Sequence, residues 1–234
     1  MIKITPHPAW VVDLLESVRP LKERVVNHKI FSDICQLKLT IAQFQRALVN
    51  FYPLIESFPK FMSLNLTKVP LGGTRWNKKT KYWLIVNINQ ERLHAGWWRD
   101  FAFGFGVAKE VLDKEIHPPP AVDALNNYLW RVCTYGSLAE GIGASNFAVE
   151  GPTGEWTKIT SDYIRKYQGK EGTRITDKTF EWVTAHANYD DKHPYEALEI
   201  LKAYATTPAE QEKVRYAIER SLEYYAMALD ACYE

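Results

Sequence analysis

The chain has 234 residues, of which 29 are Lys or Arg and 28 are Asp or Glu, giving a formal net charge of +1. That length can bury a full core, and the near balance of charge offers no footprint for nucleic acid or an anionic membrane surface. Cys35, Cys133 and Cys232 are widely separated and odd in number, which fits reduced thiols in a cytoplasm better than a disulfide framework.

In chain order, residues 8–27 place Trp10, Val11, Leu14, Leu15 and Val18 at helical spacing, with Pro20 expected to interrupt or end that helix. Residues 31–57 repeat the pattern up to Pro59, and a Leu-Gly-Gly loop follows at 71–73. Residues 76–104 predict a long aromatic-rich helix that stops at Gly104-Phe105-Gly106. Another helix is expected over 121–148, closed by Glu150-Gly-Pro, and a shorter one over 155–168. Thr176 or Asp177 is expected to cap the next helix, and Thr207-Pro208-Ala-Glu210 opens the last, over 207–231. No stretch alternates with period two, so the expectation is all-α: one domain, residues 1–234, built as a bundle of seven or eight helices. The start MIKITPHPAW lacks a basic-then-apolar leader, and no apolar run approaches the roughly 18 residues of a membrane span, so a soluble cytoplasmic protein is expected.

His186, Asp190 and His193 stand at i, i+4 and i+7 in the stretch after Glu181. At about 100° per residue, one continuous helix would carry all three within roughly 60° of one another. Random placement of this chain's histidines and acids gives only about 0.015 such arrays, so chance is a poor explanation. Two imidazoles and a carboxylate on one face suit iron, manganese or zinc. The bland alternative is a solvated polar stripe, and Pro194 predicts a bend beside His193.

An array of three donors does not saturate an ion, so further ligands are expected from other helices. Glu91-x-x-His94 is the i, i+3 element with which di-iron carboxylate bundles project a carboxylate and an imidazole inward. A surface ion pair is the competing reading. Glu150 ends the apolar run GIGASNFAVE, where an unpaired buried carboxylate would be costly and a metal would resolve the cost. Glu140 and Glu155 are the alternatives to it. His7, His28 and His117 read as loop or cap residues, and Cys133 as a core thiol.

The order and spacing Glu91-x2-His94, Glu150, His186-x3-Asp190-x2-His193, together with Trp97-Trp98-x-x-Phe101-Ala102 and the segment Phe44 to Pro59, resembles the haem-oxygenase-like dimetal oxidases. That superfamily includes thiaminase II (TenA) and pyrroloquinoline quinone synthase, and the likeness runs from about residue 30 to 200. It implies a haem-oxygenase-like bundle holding two iron ions, Fe/Fe or Mn/Fe and in some preparations partly lost, with no organic cofactor. It also implies O2 activation toward a small carboxylate-bearing substrate, fatty-acid-like or amino-acid-like, with an external electron donor as a further partner. The Glu-x-x-His version is similar to the alkene-forming fatty-acid decarboxylases of the family. Chlamydial death-domain-associated relatives carry the first Glu seven residues before the His, where this chain has Asn87. Arg99 and Tyr135 are candidates to meet the substrate's carboxylate. A thiaminase II-like hydrolase using Cys133 is the runner-up, although Tyr225 stands where that motif carries Glu; an inert partner-binding member of the fold is the third reading. Exposed aromatic stripes leave room for a homodimer.

Overall fold

A computed structural model describes residues 2–188 and 192–234. Its helices are α1 (Ala9–Val26), α2 (Lys29–Cys35), α3 (Ile41–Thr67), α4 (Arg75–Gly104), the single turn α5 (Lys109–Leu112), α6 (Pro120–Tyr135) and α7 (Leu138–Ile142). A π-helical turn (Gly143–Phe147) leads to α8 (Glu150–Arg165); a 3₁₀ turn (Lys170–Gly172), α9 (Glu181–Asn188), α10 (His193–Tyr204) and α11 (Pro208–Tyr233) complete the chain. Among the described residues there is no strand, and no helix is long and apolar enough to cross a membrane. The long helices α3 and α4 pack along each other; α11 lies against α1 and α6, and α8 bridges α2 and α9.

Several boundaries differ from expectation for local reasons. Helix α1 runs through Pro20, because both Pro20 and Glu16, whose carbonyl loses its partner there, face solvent. The pattern at 31–57 is two helices rather than one. Leu37 takes a positive φ of 57° and breaks the run, and Thr40 restarts it through a capping box with Gln43. Helix α3 then continues past Pro53 and Pro59 to Thr67. The expected helix over 121–148 is likewise divided: Ser137 and Glu140 form a capping box that opens α7, and the backbone then widens into the π turn. Glu150-Gly-Pro starts α8 instead of closing its predecessor, since Pro152 sits in a first turn whose N–H groups need no helical partner.

One close approach fixes this region. A Cβ built on Gly141 would stand 2.0 Å from Oδ1 of the fully buried Asn65. Only glycine lets α7 settle against α3 there.

The candidate metal centre

Glu91 and His94 lie on the inner face of α4, 6% and 2% exposed. Their side chains meet at 2.6 Å between Oε2 and Nδ1. His94 Nε2, its other nitrogen, is buried without a hydrogen-bond partner. Glu150 follows the π turn, and its Oε2 accepts a hydrogen bond from Asn146 Nδ2 at 3.2 Å. A π turn inserts an extra residue in the helical ladder and often marks a functional position; here it carries the buried Asn146 one turn before Glu150.

His186 lies on α9, its ring centroid 4.8 Å from that of His94. Its Nδ1 is 2.7 Å from the Trp182 carbonyl, which fixes Nδ1–H as the donor and Nε2 as the basic nitrogen of the ring. The Trp182 indole stacks on the same imidazole at 3.9 Å. His193 is the first residue of α10 and packs edge-on against Trp83 at 6.4 Å. The array read as one continuous helix is therefore corrected: His186 ends up near the close of α9, and His193-Pro194 opens α10, with proline where a helix tolerates it best. Asp190 lies outside the described residues.

Glu91, His94, Glu150, His186 and His193 line a single cavity of ≈ 20 Å³. Among the described residues, no three His, Cys, Asp or Glu side chains converge tightly enough to hold one ion as they stand. The electrostatics nevertheless suit a cation. Burial pushes the Glu91 carboxyl up to about 8 and the His94 imidazole down to about 4. Burial first, then the neighbouring His94, brings His186 down to about 3. Dry surroundings thus hold both imidazoles in the neutral form that binds metals and leave the carboxyl short of positive charge. A divalent ion would supply that charge, and the partnerless His94 Nε2 would become a ligand. The residues present fit iron.

A second cavity of ≈ 40 Å³ adjoins the first and shares Glu91, His94, Glu150 and His186 with it. Through Leu54, Ile55, Val149, Thr153 and Trp182 it borders a third, of ≈ 80 Å³, whose lining is almost wholly apolar and runs past Phe51 and Trp98. A more open cavity of ≈ 440 Å³, lined in part by Asn87, Gln90 and Lys192, touches the donor set at His193. Asn87 is 1% exposed, and its amide donates to the Trp83 carbonyl one turn back.

The two residues nominated to meet a substrate carboxylate do not reach these cavities. Arg99 is held by the Leu112 carbonyl at 2.8 Å and by Asp113, tying α4 to α5. Tyr135 is 85% exposed at the end of α6. Cys133 is fully buried, its thiol directed at the Gly141 carbonyl and pushed up to about 11 by burial, which makes it a poor nucleophile. Sequence reasoning missed Asn146 and Trp182. Each stands four residues before a predicted ligand, the spacing from which a helix brings one side chain over another.

The family model described as "iron-containing redox enzyme" matches residues 45–226. A "4-aminobenzoate synthase" of Chlamydia pneumoniae is 24% identical over 185 residues, 77% of this chain and 76% of that protein. The protein of the same name from Chlamydia muridarum is 26% identical over 137 residues, 57% of this chain and 55% of its own length. A TenA homologue from Pseudomonas syringae pv. tomato superposes with a TM-score of 0.89 at 30% identity, covering 99% of this chain and 98% of its own. A TenA homologue from Pyrococcus furiosus shares the fold at a TM-score of 0.75 and 18% identity, over 96% of this chain and all of that one (100%). The chain belongs to the family of iron-containing redox enzymes and has the all-helical, haem-oxygenase-like fold of the TenA proteins.

Proposed function

We propose that the chain is an oxidase that uses two iron ions, held by Glu91, His94, Glu150, His186, Asp190 and His193, to oxidise or cleave a small carboxylic acid with an apolar tail. The observation that carries this reading is the meeting of five of those side chains, from α4, α8, α9 and α10, on one small cavity beside an apolar one. Iron bound there would supply one-electron chemistry with O2. The protein's own part is positional. His94 and His186 offer neutral nitrogens from helices fixed by core packing, and Glu91 and Glu150 supply compensating negative charge. The apolar lining takes the tail and keeps water from the reacting carbon, leaving the acid head beside the donors. The ring of Trp182 closes one wall.

Formation of 4-aminobenzoate, the activity carried in the names of the chlamydial relatives, is the less favoured reaction. The family resemblance places an acidic ligand of the aminobenzoate-forming type at position 87, where this chain has Asn87, and a neutral amide turned back to Trp83 is a poor substitute.

The test begins with metal. Anaerobic reconstitution with Fe(II) should yield close to two irons per chain by elemental analysis, and H186A should abolish that uptake. Unchanged iron in H186A would refute the ligand assignment. Oxygen consumption by the loaded protein, surveyed over carboxylic acids with tails of increasing length, should then identify the substrate class.

A further inference from the structure

Trp182 stands one turn before His186, and their rings stack with planes 29° apart. From Trp182 the aromatic packing continues inward. The ring of Trp156 on α8 lies 5.9 Å away and nearly parallel, at 27°, and Trp98 on α4 meets Trp182 edge-on at 4.6 Å. The donor His186 is thus the end of a column of indoles rather than a side chain set in aliphatic packing.

An indole gives up an electron readily and can hold the resulting positive charge without losing its proton, which a phenol cannot. The hydrogen bonds along the column set a direction. Trp182 Nε1 is buried with no hydrogen-bond partner, so an oxidised Trp182 keeps its proton and carries its charge in dry surroundings. Trp156 Nε1 donates to Tyr225 Oη at 3.0 Å, that hydroxyl lies 3.0 Å from Thr153 Oγ1, and Thr153 donates to the Val149 carbonyl at 2.8 Å. A positive charge on Trp156 is spread into this polar chain through its N–H. The hole is therefore more stable on Trp156 than on Trp182.

Resting on the oxidase reading above, we propose that Trp182 is an electron-relay residue that reduces the oxidised iron centre across His186 when no substrate is bound, and that Trp156 receives the hole. Trp182 loses one electron and becomes a radical cation with its N–H intact, while the centre that O2 has oxidised gains that electron. Trp156 then returns one electron to Trp182, its own N–H proton remaining shared with Tyr225. An external one-electron reductant of the ascorbate class restores Trp156. The net transfer is one electron from reductant to iron, with no bond broken in the protein. The relay drains oxidising power that would otherwise attack the lining of the empty apolar cavity, in which Trp98, Trp156 and Trp182 all lie.

The decisive measurement reads the indoles and not turnover. Iron-loaded protein is exposed to O2 without substrate, freeze-quenched for paramagnetic resonance and digested for peptide mass mapping. An indole radical and oxygen gain concentrated at Trp156 are expected, both suppressed by ascorbate, and both lost in W182F that holds the same iron. Equal oxidation of Trp156 in W182F, or oxidised iron without an indole radical, overturns the relay. W156F serves as the companion variant, its folding checked by thermal melting; the radical should then stay on Trp182. A metal-free arm exposes the chain to a photogenerated one-electron oxidant. Oxidation should collect on Trp156, 8% exposed, ahead of the partly exposed Trp10, Trp76 and Trp97. Oxidation that simply follows exposure overturns the relay, and this arm decides the matter even in a chain that takes up no iron, a result that by itself would sink the oxidase reading.

Discussion

Asn146 shows how a single residue outside the donor set can govern it. Its amide holds Glu150 Oε2 at 3.2 Å and its own oxygen is 3.1 Å from Ser145 Oγ, so the carboxylate is aimed by a buried, fully packed neighbour. Groups that orient metal ligands typically affect affinity by about 10–100-fold. N146A should accordingly weaken Fe(II) binding by about that factor in a competition titration with a coloured chelator, with the melting temperature of the metal-free chain little changed. An unchanged affinity would mean that Glu150 is oriented by something else. Gly141 belongs to the same scale but reads out in stability. Because its Cβ would overlap Asn65 Oδ1, G141A must displace a buried side chain or shift α7, at a cost of about 2–3 kcal/mol in denaturant unfolding.

At the scale of elements, α10 is a helix clasped by the start of the chain. Glu196 accepts from the Ile2 N–H at 2.6 Å and from Trp83 Nε1 at 2.8 Å, and Glu199 accepts from the Thr5 N–H at 2.8 Å and pairs with Lys202 at 2.6 Å. These bonds hold α10 against α4 and so set where His193 begins. E196A strands two donors and should cost about 2–4 kcal/mol. Glu199 makes the clasp sensitive to acid. Burial raises its pKa, but Lys202 and Thr5 outweigh that and hold it below the ordinary 4.5. A depressed folded-state value means that the stabilisation is complete above 4.5 and fades as pH falls through the folded value. Melting curves of wild type and E199Q should stand apart near neutral pH and converge in acid. A constant separation would show that the carboxylate's charge contributes nothing.

Elements also show which parts of the molecule were legible in advance. The helical character of every long segment followed from apolar spacing, and Glu91 with His94 followed from i, i+3 placement on one face. Capping chemistry was present but overridden by periodicity. Thr40-x-x-Gln43 and Ser137-x-x-Glu140 both announce helix starts inside stretches read as continuous. His186 and His193 were placed together for an incomplete reason: they line the same cavity from two helices, not from one. Arg99 and Tyr135 were chosen by chemistry alone, and sequence spacing carries no information about which side of a helix a pocket lies on.

For the molecule as a whole, the decisive feature is that the small donor cavity touches a more polar cavity at His193 and, past Leu54 and Ile55, adjoins an almost wholly apolar one. The more polar side is lined from α4, α9 and the start of α10, and the apolar side from α2, α3, α4, α8, α9 and α11. A molecule with an acidic head and a hydrocarbon tail matches that division, because each methylene moved from water into the apolar side contributes roughly 0.8 kcal/mol. On the oxidase reading proposed above, the tail would be the part of the substrate that the fold measures. Ile55 sits at the neck, shared by the cavity that touches the donors and the apolar one beyond it. It is only half-buried, so a larger ring there can lean outward without unseating the core. I55W should leave iron uptake intact while shifting turnover toward acids with shorter tails, seen as a rise in KM for long acids with kcat for short ones preserved. If all tail lengths lost activity in parallel, the neck would not be the passage to the tail's cavity. Equal loss of iron would place Ile55 among the supports of the metal centre instead. An unchanged length profile would move the tail to the polar side, against the direction in which burial of hydrocarbon drives it.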